Sequence, residues 1–196
     1  MVQIDKPLPS YVPDRDFAEI MKLDCLDVHY KKAFQFYRDT GCRLAEPFLG
    51  KLIGNVLVIP AKYSKSRMEK EIEISMDHMP ALLELQERYH SWKKKVKKPL
   101  LKYFKDKYSK EFKRCCRLTG INRRFHDLRH TFAVRRYLMT RDIYQVMKEM
   151  GHSKVTTTQI YTKFKMPRLA VDFPALVRSN QRRRKIAGMD TDLMDT

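Results

Sequence analysis

Apolar positions recur at helical spacing through most of the chain. Phe17, Ile20 and Met21 mark one face of a helix over about residues 15–23, with Asp14 placed to cap it. Val28, Ala33, Phe34 and Tyr37 mark a second over about 26–38, which should stop near Gly41. A third, 79–92, carries Leu82, Leu83, Leu85 and Tyr89, and a fourth, within 93–117, has an aromatic stripe of Tyr103, Phe104, Tyr108 and Phe112. Between the second and third the period falls to two. NVLVIPA is rich in β-formers and EIEIS alternates, so residues 55–75 read as a hairpin with a polar, basic turn. Helical spacing returns with Leu128, Phe132 and Val134 to Leu138, then with Ile143, Val146, Met147 and Met150, where Gly151 is a left-handed stop. The pattern predicts an α+β fold, mainly α-helical, with a small antiparallel hairpin or sheet.

Parity sets the hairpin faces. Ile72 and Ile74 should be buried, with Glu71 and Glu73 outside. A four-residue loop, Ser66 to Glu69, would pair Lys65 with Lys70, Tyr63 with Ile72 and Ala61 with Ile74. Lys65 and Lys70 then share the Ile72 side, and Lys62 points the other way; a one-residue change in the loop would reverse this. The ends look different from the middle. Residues 1–12 read as an extended lead-in, 13–178 as one domain, and 179–196 as a mobile polar tail. The short apolar piece LAVDFPALV, 169–177, should dock either on its own domain or on a neighbouring copy.

Charge narrows the choice of partner. The 196 residues hold 41 Lys+Arg against 23 Asp+Glu, a net charge of +18, which calls for a polyanion, and nucleic acid is the default. An anionic membrane is the rival. No apolar stretch reaches the length of a membrane-spanning helix and no signal-peptide pattern opens the chain, so a soluble cytoplasmic protein associated with DNA is expected. Residues 93–117 concentrate the charge, with twelve Lys/Arg against Asp106 and Glu111. Their outer face is either merely solvated or tracks a phosphate backbone through Lys102, Lys105 and Lys113. Cys25, Cys42, Cys115 and Cys116 form no C-x-x-C pair and read as reduced thiols, with no zinc or redox role.

Reactive side chains gather in HDLRHTFA, in the Gly151-His152-Ser153 step, and in TTTQIY, where Tyr161 lies nine residues after His152. His126 and Arg129 share a helical face. His126 and His130 have the spacing of a zinc-protease helix, but Asp127 stands where that motif needs Glu, and no third ligand has suitable spacing. Upstream, TGCRLAE places Arg43 three residues before Glu46, which alone would be an ordinary surface pair. Taken in order, T-G-x-R-x-x-E, H-x-x-R-H-T-x-A, G-H-S and T-T-x-x-Y resemble the tyrosine recombinase (phage integrase) family over roughly residues 10–178. Pro47 departs from the apolar residue usual after the glutamate and is tolerated only in a helix's first turn.

The resemblance implies a tyrosine-recombinase-type catalytic domain and a site of Arg43, Lys65, His126, Arg129, His152 and Tyr161, supported by Glu46. Two permanently charged guanidiniums would grip the non-bridging oxygens of a DNA phosphodiester. His126 and His152 would donate hydrogen bonds, and His126 would also take the phenol proton. Tyr161 would attack, and a hairpin lysine (Lys62, Lys65 or Lys70, with Lys65 the best match) would protonate the leaving 5′ oxygen. No metal, ATP or other cofactor is implied. The partner is double-stranded DNA, on which the family assembles as tetramers, often through its C-terminal segment. Only some forty residues precede Arg43, so no N-terminal core-binding domain is expected. A type IB topoisomerase is the alternative, although such enzymes usually carry lysine where His126 stands. The second alternative is a non-catalytic DNA-binding relative, which would have no reason to keep Arg43, Arg129, His152 and Tyr161 together.

Overall fold

The computed structural model describes residues 8–64, 67–93 and 100–179. Helix α1 (Asp14–Lys22) and α2 (Val28–Thr40) lead into the short α3 (Glu46–Leu49). A three-stranded antiparallel sheet of order β1-β2-β3 follows, from Lys51–Ile53, Val56–Ile59 and Lys70–Glu73. Then come α4 (Met79–Lys93), α5 (Leu100–Leu118), α6 (Asp127–Thr140) and α7 (Ile143–Met150). Two 3-10 turns, Val155–Thr157 and Gln159–Lys163, precede α8 (Met166–Asp172), and residues 174–179 are again helical. Fold class is therefore as the patterning predicts. No helix among the described residues is long and apolar enough to cross a membrane.

Two hydrophobic clusters meet along α6. The first gathers α1, α2, the inner sheet face, α4 and α5 around an aromatic set, with Phe34 edge-on to Phe112 at 5.2 Å and Tyr37 edge-on to Phe125 at 4.9 Å. Each such ring contributes about 2 kcal/mol by burial alone, so this set anchors α5 far more firmly than its exposed lysines loosen it. The second cluster takes Phe132, Val134 and Leu138 from α6, Val146 and Met150 from α7, and Tyr161, Leu169 and Phe173 beyond them. The segment 169–177 thus docks on its own domain. The end of the lead-in, at Tyr11 and Val12, is docked as well. Val12 is buried and its N–H donates to Thr131 Oγ1 at 2.8 Å, while the Tyr11 hydroxyl donates to Asp172 at 2.6 Å.

Several expectations need correction. Asp14 makes no cap, because Pro13 occupies that position, and its carboxylate pairs with Arg38 instead. Val28 and Leu83 face solvent, at 63% and 50% exposure, since the buried faces of their helices are set by Phe34 and Tyr37 and by Leu82 and Leu85. The hairpin register also differs. Leu57, not Tyr63, pairs with Ile72, and Ile59 pairs with Lys70. Pro60 has no N–H to continue the ladder, and Ala61–Tyr63 wind into a 3-10 turn, so pairing ends at Ile59 and the connection is ten residues long (60–69). The expected faces of β3 survive the shift, with Lys70 and Ile72 buried and Glu71 and Glu73 exposed. Lys62 is exposed, beside the Tyr63 ring. Lys65, residues 1–7 and the tail from 180 lie outside the described residues.

Candidate active site

The site is built on helix ends. Helix α2 stops at Gly41 and α7 at Gly151, both left-handed, with φ of 64° and 62°. Each stop does more than end a helix. A side chain at Gly41 would strike the Phe132 ring, and one at Gly151 would meet the Lys70 methylenes at 2.8 Å. The carbonyl oxygens released at these ends both accept from Arg129, Gly41 O from Nη1 at 2.5 Å and Met150 O from Nη2. Arg129 is 3% exposed, and the negative ends of two helices offset much of the cost of burying its charge. Burial and the neighbouring Arg43 draw its pKa down to about 10, so it stays charged at neutral pH.

A buried carboxylate balances this positive charge. Glu46 Oε2 accepts the Arg43 backbone N–H at 2.7 Å and Lys70 Nζ at 3.1 Å, while Oε1 accepts Arg43 Nη1 at 2.9 Å. Burial pushes its pKa up, but Lys70, Arg129 and the two Arg43 bonds outweigh that and hold it below the usual carboxylate range. Burial lowers Lys70 against the pull of Glu46. Pro47 sits in the first turn of α3, the one place where a helix accepts it, so the departure from the family pattern costs nothing here.

Arg43, His126, Arg129, His152 and Tyr161 line one open cleft of about 530 Å³. Sequence positions spread over more than a hundred residues therefore converge on one cleft. His152 follows the Gly151 stop; its Nδ1 lies 2.9 Å from Thr158 Oγ1 and its Nε2 lies 3.5 Å from Arg129 Nη2. Because a guanidinium only donates, Nε2 is the accepting nitrogen and Nδ1–H donates to the threonine. Tyr161 lies on the Gln159–Lys163 turn, 2% exposed, and burial raises its pKa to about 12. Its hydroxyl is 2.8 Å from Nδ1 of His130, a residue that stands in the H-x-x-R-H-T-x-A motif and at zinc-like spacing but to which the sequence assigns no role. The available signal was its position, one residue after Arg129 and one turn after His126. Burial, then the positive charges nearby, lower both His130 and His152 to about 4, and His126 moves in the same direction.

The remaining expectations fall elsewhere. Met68 and Glu69, at the β3 end of the loop that carries Lys65, share with His152 a neighbouring cleft of about 700 Å³. Lys102, Lys105 and Lys113 are exposed on α5, opposite its buried stripe of Phe104, Tyr108 and Phe112, and do not line the Tyr161 cleft. No group of three or more potential metal ligands occurs among the described residues.

The family model described as the phage integrase family matches residues 15–168. Tyrosine recombinase XerA of Pyrococcus horikoshii is 29% identical over 147 residues, which is 74% of this chain and 45% of the relative. Among solved structures, XerA recombinase superposes with a TM-score of 0.60 at 18% identity, covering 91% of this chain and 66% of that one. XerH site-specific recombinase bound to palindromic difH substrate gives 0.57 at 22% identity, covering 84% and 52%. The Tn1549 transposon integrase in complex with transposon right end DNA gives 0.62 at 16% identity, covering 94% and 68%. These likenesses establish the fold of the catalytic domain. The chain spans about half the length of the curated relative it matches.

The electrostatics set a pH dependence. His130 and His152 take up a proton near 4 when folded but near their ordinary 6.5 when unfolded. Between those values the unfolded chain binds more protons, so stability falls as the pH drops from about 6.5 towards 4. Glu46, depressed from its ordinary 4.5, loses its contribution in the same direction as it protonates below that value. Urea midpoints measured from pH 7.5 to 4.5 should therefore decline, and the decline should be shallower in the His130→Gln/His152→Asn double variant. An equal decline in both proteins would show that these imidazoles are not held neutral by the fold.

Proposed function

The chain belongs to the phage integrase family, and from that membership we propose that it is a site-specific DNA recombinase. It cuts and rejoins double-stranded DNA through a covalent 3′-phosphotyrosine, for integration or excision of a mobile or viral element. The observation that carries this reading is the convergence of Arg43, His126, Arg129, His152 and Tyr161 on one cleft. A phosphodiester is anionic and its alkoxide is a poor leaving group, so attack needs fixed positive charge and proton donors. Arg43 and Arg129 supply the charge, each offering parallel N–H groups to the non-bridging oxygens. The protein's own cations meet the demand, so the reading includes no metal and no ATP.

Tyr161 Oη attacks phosphorus and the bond to the 5′ oxygen breaks, leaving a 3′-phosphotyrosine and a free 5′ hydroxyl. His126 and His152 donate to the phosphate oxygens. An arriving anion raises the affinity of His152 for a proton and turns Nε2 into a donor. Lys65 protonates the departing oxygen, in keeping with the cleft that His152 shares with the Lys65 loop. Lys70, already bound to Glu46, is the poorer candidate. A second 5′ hydroxyl reverses the step and exchanges strands. Assembly on DNA is as a homotetramer, and exchange of the C-terminal segment between copies would require Leu169 and Phe173 to leave the pockets they fill here.

Three outcomes test this reading. On nicked duplexes carrying candidate sites, the parent should form an SDS-resistant adduct. Tyr161→Phe should bind as well and form none, and an adduct in that variant would move the nucleophile to another tyrosine such as Tyr144. Lys65→Ala should slow cleavage on the order of a hundredfold. Replacing the bridging 5′ oxygen by sulfur should remove most of that loss, because a thiolate leaves unprotonated; rescue of Lys62→Ala or Lys70→Ala instead would reassign the acid. Finally, if the basic face of α5 tracks the backbone, neutralising Lys102, Lys105 and Lys113 together should flatten the slope of log K against log salt. An unchanged slope would place that face away from DNA.

A further inference from the structure

His130 stands apart from the groups that surround the scissile phosphate in the proposed reaction. It occupies α6 one turn after His126, and the two rings meet edge to face with centroids 4.8 Å apart. Its Nδ1 approaches the Tyr161 hydroxyl to 2.8 Å, hydrogen-bond distance for the atom that would attack. Both rings line the same cleft as the two arginines. We infer that His130, not His126, is the catalytic base that receives the Tyr161 proton. This rests on the reading of Tyr161 as the nucleophile.

The proton balance is simple. The Tyr161 O–H bond breaks as the phenol oxygen bonds to phosphorus, and the proton passes to His130 Nδ1, giving an imidazolium. In the reverse step that imidazolium returns the proton to the leaving phenol oxygen. Tyr161 cannot ionise unaided at neutral pH, with its pKa raised to about 12 by burial. His130 is neutral there, so one ring nitrogen is free of a proton, and in the tautomer that keeps its proton on Nε2 that nitrogen is Nδ1, facing the Tyr161 hydroxyl. In the empty cleft the transfer is uphill, since burial and then the charges of His126 and Arg129 oppose an imidazolium. A bound phosphodiester reverses this: its negative charge, which grows as the phenol oxygen bonds to phosphorus and remains as one unit on the phosphotyrosine, favours the imidazolium. The base is thereby coupled to substrate, which keeps the tyrosine inert in the absence of DNA.

Geometry separates the two histidines. His126 stands at the N-terminal cap of α6 with its ring open to the cleft, in a position to face phosphate. His130 is half-buried against the tyrosine. The decisive experiment has two arms. In the DNA-free protein, imidazole ¹⁵N NMR should show His130 Nδ1 as an unprotonated acceptor whose resonance moves in Tyr161→Phe. A protonated Nδ1 overturns the assignment whether or not the protein cleaves DNA. On nicked duplex, His130→Ala should slow adduct formation on the order of a hundredfold or more at unchanged DNA affinity. Added imidazole should restore part of the rate, whereas His130→Gln, which can bond the hydroxyl but not take its proton, should stay slow. Parental rates in either variant overturn the proposal. If the parent forms no Tyr161 adduct, the nucleophile reading fails, and the NMR arm still decides whether His130 holds the accepting geometry.

Discussion

A single buried carboxylate holds the centre of this structure together. Glu46 is 5% exposed and accepts bonds from both Arg43 and Lys70, while Arg129 acts on it through space. In a chain of net charge +18, three cations crowded round one cleft would otherwise repel one another with little water to screen them. Removing one partner from a buried pair commonly costs about 3–5 kcal/mol, a large share of a domain's whole stability. The pair is also a structural tie. Lys70 lies on β3 and Glu46 on α3, and the Lys70 methylenes pack where a side chain at Gly151 would stand. Carboxylate, ammonium, glycine and the following His152 therefore form one continuous chain of contacts, so the position of His152 depends on a charge more than a hundred residues upstream.

Arg129 closes the same construction from the other side. Its guanidinium reaches the last carbonyls of α2 and α7, which belong to different hydrophobic clusters. It works as a fixed charge and as a clasp between two halves of the domain. The left-handed stops at Gly41 and Gly151 present those carbonyls, and both are too crowded for a side chain. Chemistry and architecture thus draw on the same residues.

Local signals are legible in the sequence and distant contacts are not. The stops at Gly41 and Gly151 follow from one residue each, and Phe104, Tyr108 and Phe112 from helical period alone, although Tyr103, read into the same stripe, is 48% exposed. The arginines, the histidine after Gly151 and Tyr161 were legible because several short motifs occur in family order, not because any one of them reports its surroundings. The strand register was misjudged because Pro60 and the 3-10 turn lengthen the connection, and nothing in the alternation of EIEIS registers that. Lys70 read as one more hairpin lysine because its partner lies 24 residues away. His130 was passed over for the same reason. Its relation to Tyr161 spans 31 residues and arises only when the second cluster folds.

The resting cleft carries two fixed guanidiniums, neutral imidazoles and a protonated phenol, all biased by one field. In the proposed reaction, an anion entering it would raise the proton affinity of every histidine there, against the burial and the lesser repulsion that keep them neutral, so binding and proton transfer are linked in sign. For that reaction Tyr161, 2% exposed, would also have to turn its oxygen towards the phosphate. It rides on a five-residue 3-10 turn, whose hydrogen bonds are poorer than those of an α-helix, between a glycine stop and the short α8. A nucleophile on a long α-helix would be better held but harder to move. Here Arg43 and Arg129 are held by the buried ion pair and by helix ends, while the oxygen proposed to react sits on a short 3-10 turn. In the proposed reaction, that division would let electrostatics be preorganised without fixing the tyrosine in its attacking position before DNA arrives.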